Sequence, residues 1–151
     1  MAIFTSRFSN PELKTGKYYT VGITLGKPRF SLGYVENDHC YALAPDKSMW
    51  GKTHEEFTRL YEGKLNRMGT AGVKRFIDSF VNRATGRDVV MLCYEDVRDP
   101  EQFCHRTTLA DWLNRYVGMD IKELPDPTPV KYKKKPKPKE EETTLDQVTL
   151  F

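Results

Sequence analysis

The sequence predicts an α/β sandwich, and three observations carry that prediction. The run DVVMLCYE contains five consecutive apolar residues, Val89 to Cys93, as in a central strand covered on both faces. Helical patterns flank this run, two before it and one after it. At 151 residues with 38% hydrophobic content, the chain has the length of one domain and enough apolar surface for a core.

Taken in order, AIFTSRF reads as a short first strand, followed by a loop, SNPELKTGK, marked by Asn10-Pro11 and Gly16. YYTVGITLG is β-branched and aromatic, closes on Gly26 and reads as a second strand. Pro and Gly spacing between Lys27 and Trp50 predicts mostly loop, with a short strand near HCYALAP. THEEFTRLYEGKLNRM opens on Thr53 with Glu56 three residues on, a capping box, and puts Phe57, Leu60, Tyr61 and Leu65 on one face. Gly63 weakens that helix. A second helix spans roughly Ala71 to Arg83, with Val73, Phe76, Ile77 and Phe80 at helical spacing and Gly86 as its stop. After the apolar strand, HRTTLADWLNRYVG sets Leu109, Trp112, Leu113 and Tyr116 on one stripe and ends at Gly118.

From Pro125 the texture changes. PDPTPVKYKKKPKPKEEETT carries five prolines, a lysine block and three glutamates, the composition of an extended, disordered tether. The chain therefore divides into an α/β domain at 1–124, a Pro/Lys/Glu linker at 125–146 and a terminal peptide at 147–151.

Charge and cysteine content narrow the function classes only slightly. The formal charge is +3 and the body alone is near +2, compatible with an anionic ligand but with no large positive field. Three cysteines, an N-terminus that turns polar by Thr5 and no run near ~20 apolar residues point to a cytoplasmic protein with free thiols and no membrane span.

The segment VVMLCYEDVRDPEQFCHRTTLADWL concentrates the chemistry. In open α/β sheets ligands sit beyond the carboxyl ends of strands, where loops enter helix N-termini. Cys93 and Glu95 lie at such a strand end, and Cys104, His105 and Arg106 open the next helix. A helix start with an adjacent guanidinium favours an anion such as phosphate and lowers the pKa of a nearby thiol. Each side chain also has a structural use. Cys93 can be a core residue, Glu95 a solvated acid, Arg106 a surface partner of Asp96 or Asp99, and His105 a packing residue. The C-x-E and C-H pairs offer four potential zinc ligands, but their intervals match neither ribbon nor finger, so no metal is assigned. The gap between the cysteines is not that of a C-x-x-C redox pair.

CYEDVRDPEQFCHRTTLADWL resembles the signature of the domain-of-unknown-function family 488, with its C-x-E element, short loop, C-H-R and L-A-x-W-L helix. IFTSRFSN, VGITLGKPRF, YALAP and EEFTRLYEGKL extend the resemblance over about residues 1–124. It implies a single Rossmann-like three-layer α/β domain with a polar, cysteine-containing site at Cys93, Glu95, Cys104, His105 and Arg106. Ser6, Arg7 and Arg29 from the front segments are further candidates for the same cleft. No reaction and no cofactor follow from the resemblance.

The terminal QVTLF resembles the bacterial sliding-clamp-binding consensus, roughly Q-L-[SD]-L-F, with Gln147, Leu150 and Phe151 matching. Leu and Phe are adjacent anchors for an apolar pocket, Gln fixes register, and the lysines before them can touch DNA phosphates. The expected function is a DNA-associated enzyme, a hydrolase acting on a nucleotide or a DNA base, brought to DNA by a bacterial-type polymerase sliding clamp. The alternatives are a non-catalytic competitor of clamp clients and a nucleotide-binding sensor.

Overall fold

The computed structural model describes residues 1–130. Five strands form one wholly parallel sheet: β1 (Ile3–Arg7), β2 (Tyr18–Gly22), β3 (Asp38–His39), β4 (Asp88–Cys93) and β5 (Lys122–Glu123), in the spatial order β3-β2-β4-β1-β5. Among the described residues the α-helices are α1 (His54–Ala84) and α2 (His105–Tyr116).

β4 is the axis of the sheet. Its residues Val89 to Cys93 are fully buried, and it pairs with β1 from Ile3↔Val89 to Arg7↔Cys93 and with β2 from Tyr18↔Asp88 to Gly22↔Leu92. The period-2 alternation of a strand sorts its side chains between two cores. Val89 and Met91 join Tyr19, Val21, Phe57, Tyr61, Ile77, Leu109 and Leu113 beneath both α-helices. Val90 and Leu92 face the other way, onto Phe8, Leu13 and Leu124. Each such side chain contributes about 1.5–3 kcal/mol on burial, so a strand with no polar face is stable only with cover on both sides.

The cover is asymmetric. Both α-helices lie on one face, joined by a hydrogen bond from Trp112 Nε1 to Asn66 Oδ1 (2.9 Å). The third layer is thin, made of a 3-10 helix at Pro11–Thr15 and the loop that carries Leu32 and Tyr34. The sequence reads residues 11–15 as loop. Asn10 instead caps them by accepting from Glu12 N, with Pro at the first helical position. The fold is α/β and Rossmann-like, in a single domain.

α1 starts as its capping box predicts, with Thr53 Oγ1 accepting from Glu56 N (3.1 Å). Its interruption is at Gly69 and not at Gly63, which stays helical. Gly69 adopts φ 81°, ψ 160°, separating the two helical segments that the sequence shows as distinct. The stripe expected on α2 holds for Leu109, Trp112 and Leu113, but Tyr116 is exposed. Its ring packs on Trp112 (centroids 5.5 Å apart). β3 comes one residue before the expected HCYALAP strand, which turns into a 3-10 helix at Tyr41–Leu43. β5 has no counterpart in the sequence reading. Packing continues beyond Leu124: Pro125 O accepts from Asn10 Nδ2, and Asp126 pairs with Arg7.

An added Cβ at Gly69 meets no atom within 4 Å, so any cost there is purely one of backbone conformation. Gly69→Ala should lower unfolding stability by about 1–3 kcal/mol, the cost of forcing a side chain into a region only glycine occupies freely. Denaturant titration checks this, and an unchanged or raised midpoint would contradict the break.

Candidate functional site

The carboxyl ends of β2 and β4 and the N-terminus of α2 enclose a pocket of about 610 Å³. β2 leads into Thr24, Leu25 and Gly26 on one wall, and β4 leads into Tyr94 and Glu95 on another. The approach to α2 supplies Phe103, Cys104 and His105, while Trp50, Lys52 and Phe57 close the remaining side. Four aromatic rings therefore share the lining with two carboxylates, Glu95 and Glu101, one sulfur and one imidazole. Phe103 is held in place by His54 stacked on it (4.4 Å, 4° between planes) and by Phe57 (5.4 Å). Tyr94 donates its hydroxyl to Gly26 O (2.7 Å), bracing the two strand ends across the pocket.

His105 is the most constrained polar group of the site. Its Nε2 lies 2.6 Å from Ile23 O, and since a carbonyl only accepts, Nε2 carries the proton. Nδ1 then presents a lone pair toward Cys104 Sγ, 3.7 Å away. Burial lowers its pKa to about 4, with the positive charges of Arg106 and Lys64 acting the same way and the Ile23 bond opposing them. The ring is neutral at pH 7, and Tyr61 packs edge-on against it (5.3 Å).

Cys93 and Cys104 are brought together from the end of β4 and the start of α2, with their sulfurs in direct contact. The third cysteine, Cys40, stands apart as a free thiol, buried and with its pKa pushed up by that burial. The strand end and the helix start converge across a ten-residue loop, as their places at the carboxyl end of β4 and the opening of α2 lead one to expect.

Arg106 is also placed here, but facing inward. It is completely buried and each of its three nitrogens is engaged. Nε and one terminal nitrogen form a bidentate pair with Glu123 (3.0 and 2.7 Å). The other terminal nitrogen donates to Glu95 O (2.8 Å) and Cys93 Sγ (3.3 Å). A guanidinium so engaged ties β4, β5 and α2 together and is absent from the pocket lining, in place of the phosphate-binding role the sequence suggests.

The front-segment candidates diverge from the pocket. Ser6 is buried at the end of β1, donating to Arg7 O and accepting from Asn10 Nδ2. Arg7 donates to Asp126 (2.6 Å). Burial alone raises the Asp126 pKa, but hydrogen bonds from Arg7 and Thr128 bring it below the ordinary value. Arg29 is exposed and outside the lining. Glu95, Cys104 and His105 face the pocket directly, and Cys93 stands behind Cys104. Sequence reasoning misses Trp50, Lys52, Phe57, Tyr94 and Phe103. The available signal was a large aromatic in a polar, Gly-containing loop, KSMWGK, and two aromatics inside the C-x-E…C-H-R segment itself. Gln147, Leu150 and Phe151 lie outside the described residues.

Fold and site together define a single Rossmann-like α/β domain with an aromatic pocket at the carboxyl edge of its sheet. The chain belongs to the family described as domain of unknown function DUF488, whose model matches residues 27–113. That stretch includes Arg29 and the whole Cys93–Arg106 segment but not Ser6 or Arg7. No curated protein and no solved structure matches the chain.

Arg106→Ala should destabilise the fold by about 3 kcal/mol, the lower end for breaking a buried ion pair because Glu123 reaches solvent. Arg106→Lys should recover little of this, since an ammonium cannot reproduce the bidentate geometry. Urea unfolding of both variants measures the difference, and wild-type stability in Arg106→Ala would remove Arg106 from its tying role.

Proposed function

We propose that the pocket binds a nucleobase, free, in a nucleotide or turned out of DNA, and that the chain is a hydrolase for that base or its glycosidic bond, carried to DNA by a sliding clamp. One observation supports the binding half above all others: four aromatic rings, Trp50, Phe57, Tyr94 and Phe103, around a pocket of about 610 Å³ with Glu95 at its edge. Planar bases stack on such rings at about 1–3 kcal/mol per base, and a carboxylate accepts from exocyclic amino or ring N–H groups. Lys52, exposed at the rim, is the cation available to an attached phosphate. Glu95 is the group for proton transfer, and the neutral His105 holds Cys104 in the floor.

The recruitment half rests on the sequence of the terminal peptide. Gln147, Leu150 and Phe151 match a clamp-binding pattern, and the lysine-rich stretch before them adds a salt-dependent contact to DNA. Such a peptide needs no fixed orientation of the body, so the pocket and the clamp contact act independently.

Trp50 is 56% exposed beside the pocket, whereas Trp112 is 3% exposed in the core, so tryptophan emission reports on the pocket. Titration with nucleosides, nucleotides and short single-stranded DNA should quench it saturably, and Trp50→Phe should remove the response. No quenching by any of these probes rejects the nucleobase reading. With a ligand in hand, Glu95→Gln should bind it and fail to convert it, while a wild-type chain that returns the ligand unchanged is a sensor.

The clamp contact is tested separately by pull-down with a bacterial sliding clamp. The full chain should be retained and a chain lacking Asp146–Phe151 lost, and equal recovery would rule out the terminal peptide as the contact. Retention without any nucleobase binding would leave a non-catalytic competitor of clamp clients.

A further inference from the structure

We infer that the reduced protein binds one zinc ion through Cys93 Sγ, Cys104 Sγ and His105 Nδ1, with the fourth coordination position open to the pocket beside Glu95. These three donor atoms all lie within 4.8 Å of one another, the group among the described residues that gathers such ligands. Two thiolates and an imidazole are a borderline-soft set suited to zinc, and three protein ligands with one open position are the arrangement of catalytic zinc centres.

The geometry agrees at several points. With Zn–S near 2.3 Å and Zn–N near 2.0 Å, tetrahedral donors stand about 3.5–3.8 Å apart, and His105 Nδ1 is 3.7 Å from Cys104 Sγ. The Nε2–H bond to Ile23 O leaves Nδ1 as the coordinating lone pair and fixes the ring, as outer partners of metal-bound histidines do. Arg106 donates to Cys93 Sγ from the side away from the pocket, a contact that stabilises a thiolate. The Cα atoms of the two cysteines are 7.3 Å apart, beyond the roughly 4.4–6.8 Å usual for a disulfide. That spacing leaves room for both sulfurs around one ion.

Glu95 lines the pocket with its Oε1 3.4 Å from Cys93 Sγ, yet it is not one of the three clustered donors. It is therefore placed to accept a proton from a zinc-bound water while the three ligands hold the metal. The spacing of these residues in sequence fits no ribbon or finger because a strand end supplies one ligand and a helix start the other two.

Oxidised and zinc-bound forms exclude each other. In an oxidised form, a phosphine reductant opens a Cys93–Cys104 disulfide, becoming its oxide with oxygen from water, and two protons complete the two thiols. Zinc then displaces both protons.

The test uses the full chain purified under phosphine and requires no nucleotide, so it stands or falls apart from the nucleobase reading. Elemental analysis should find about one zinc per chain after addition of zinc and removal of excess. Cobalt(II) in its place should give thiolate-to-metal charge transfer and the intense visible bands of a tetrahedral site. Cys104→Ser and His105→Gln should lose metal, and Glu95→Gln should keep it. Folding of each variant is checked by circular dichroism. Should a ligand variant unfold, the wild-type cobalt spectrum decides alone. Folded, reduced wild type that retains no zinc and shows no cobalt–thiolate bands overturns the site. Loss of zinc in folded Glu95→Gln overturns the open position, making Glu95 the fourth ligand.

Discussion

A buried guanidinium needs partners for its charge and for its donors, and Arg106 finds both in three different elements. Glu123 on β5 supplies the counter-charge, Glu95 O anchors the loop after β4, and Cys93 Sγ takes a further donor at the strand end. The first turn of α2 is therefore fixed relative to the carboxyl edge of the sheet. Everything chemically distinctive follows from that fixing. Cys104 and His105 precede Arg106 directly, so the contact that seats Arg106 also sets their approach to Cys93 and to Ile23 O. The same ion pair gives a reason for a two-residue strand, β5, to exist at the sheet edge.

The environment around His105 shows how apolar surroundings shape a polar site. Its ring is enclosed by Tyr61 and held by a single carbonyl, with two positive charges near enough to disfavour a third. Neutrality leaves one nitrogen lone pair available at any pH near 7. A more exposed imidazole would divide its time between protonation states and rotamers. The aromatic walls of the pocket extend the same low-polarity setting to Glu95, which is only partly buried.

Much of the fold was legible in the sequence because β4 lacks a polar face and α2 has a regular stripe. These are strong local signals, and they locate the strand end and helix start that hold Cys93, Glu95, Cys104 and His105. Other features had no local signature. β3 and β5 are two residues each, too short for periodicity to register. The sequence offers Arg106 a phosphate or, as a structural alternative, the nearby Asp96 and Asp99, whereas the acid that binds it is Glu123, seventeen residues on. Trp50 and Lys52 reach the pocket from a loop about forty residues before β4 ends, a juxtaposition created by chain tracing alone. Gly63 and Gly69 look alike on paper, and only packing decides which of them breaks the helix.

The position of β4 also bears on how the chain reaches its native state. β1 and β2 are both laid down within the first 22 residues, yet they do not pair with each other, since β4 lies between them. Their hydrogen-bonding edges find a shared partner only after another 66 residues or so have followed. Loop closure over that distance comes before pairing of either strand with β4 can offset it. A nascent chain that has not yet reached Asp88 holds β1 and β2 with no common neighbour, and the order available to it is α1 and the short β2–β3 pairing. The centre of the sheet thus depends on one segment, the apolar run Val89–Cys93, entering between two edges that cannot pair with each other.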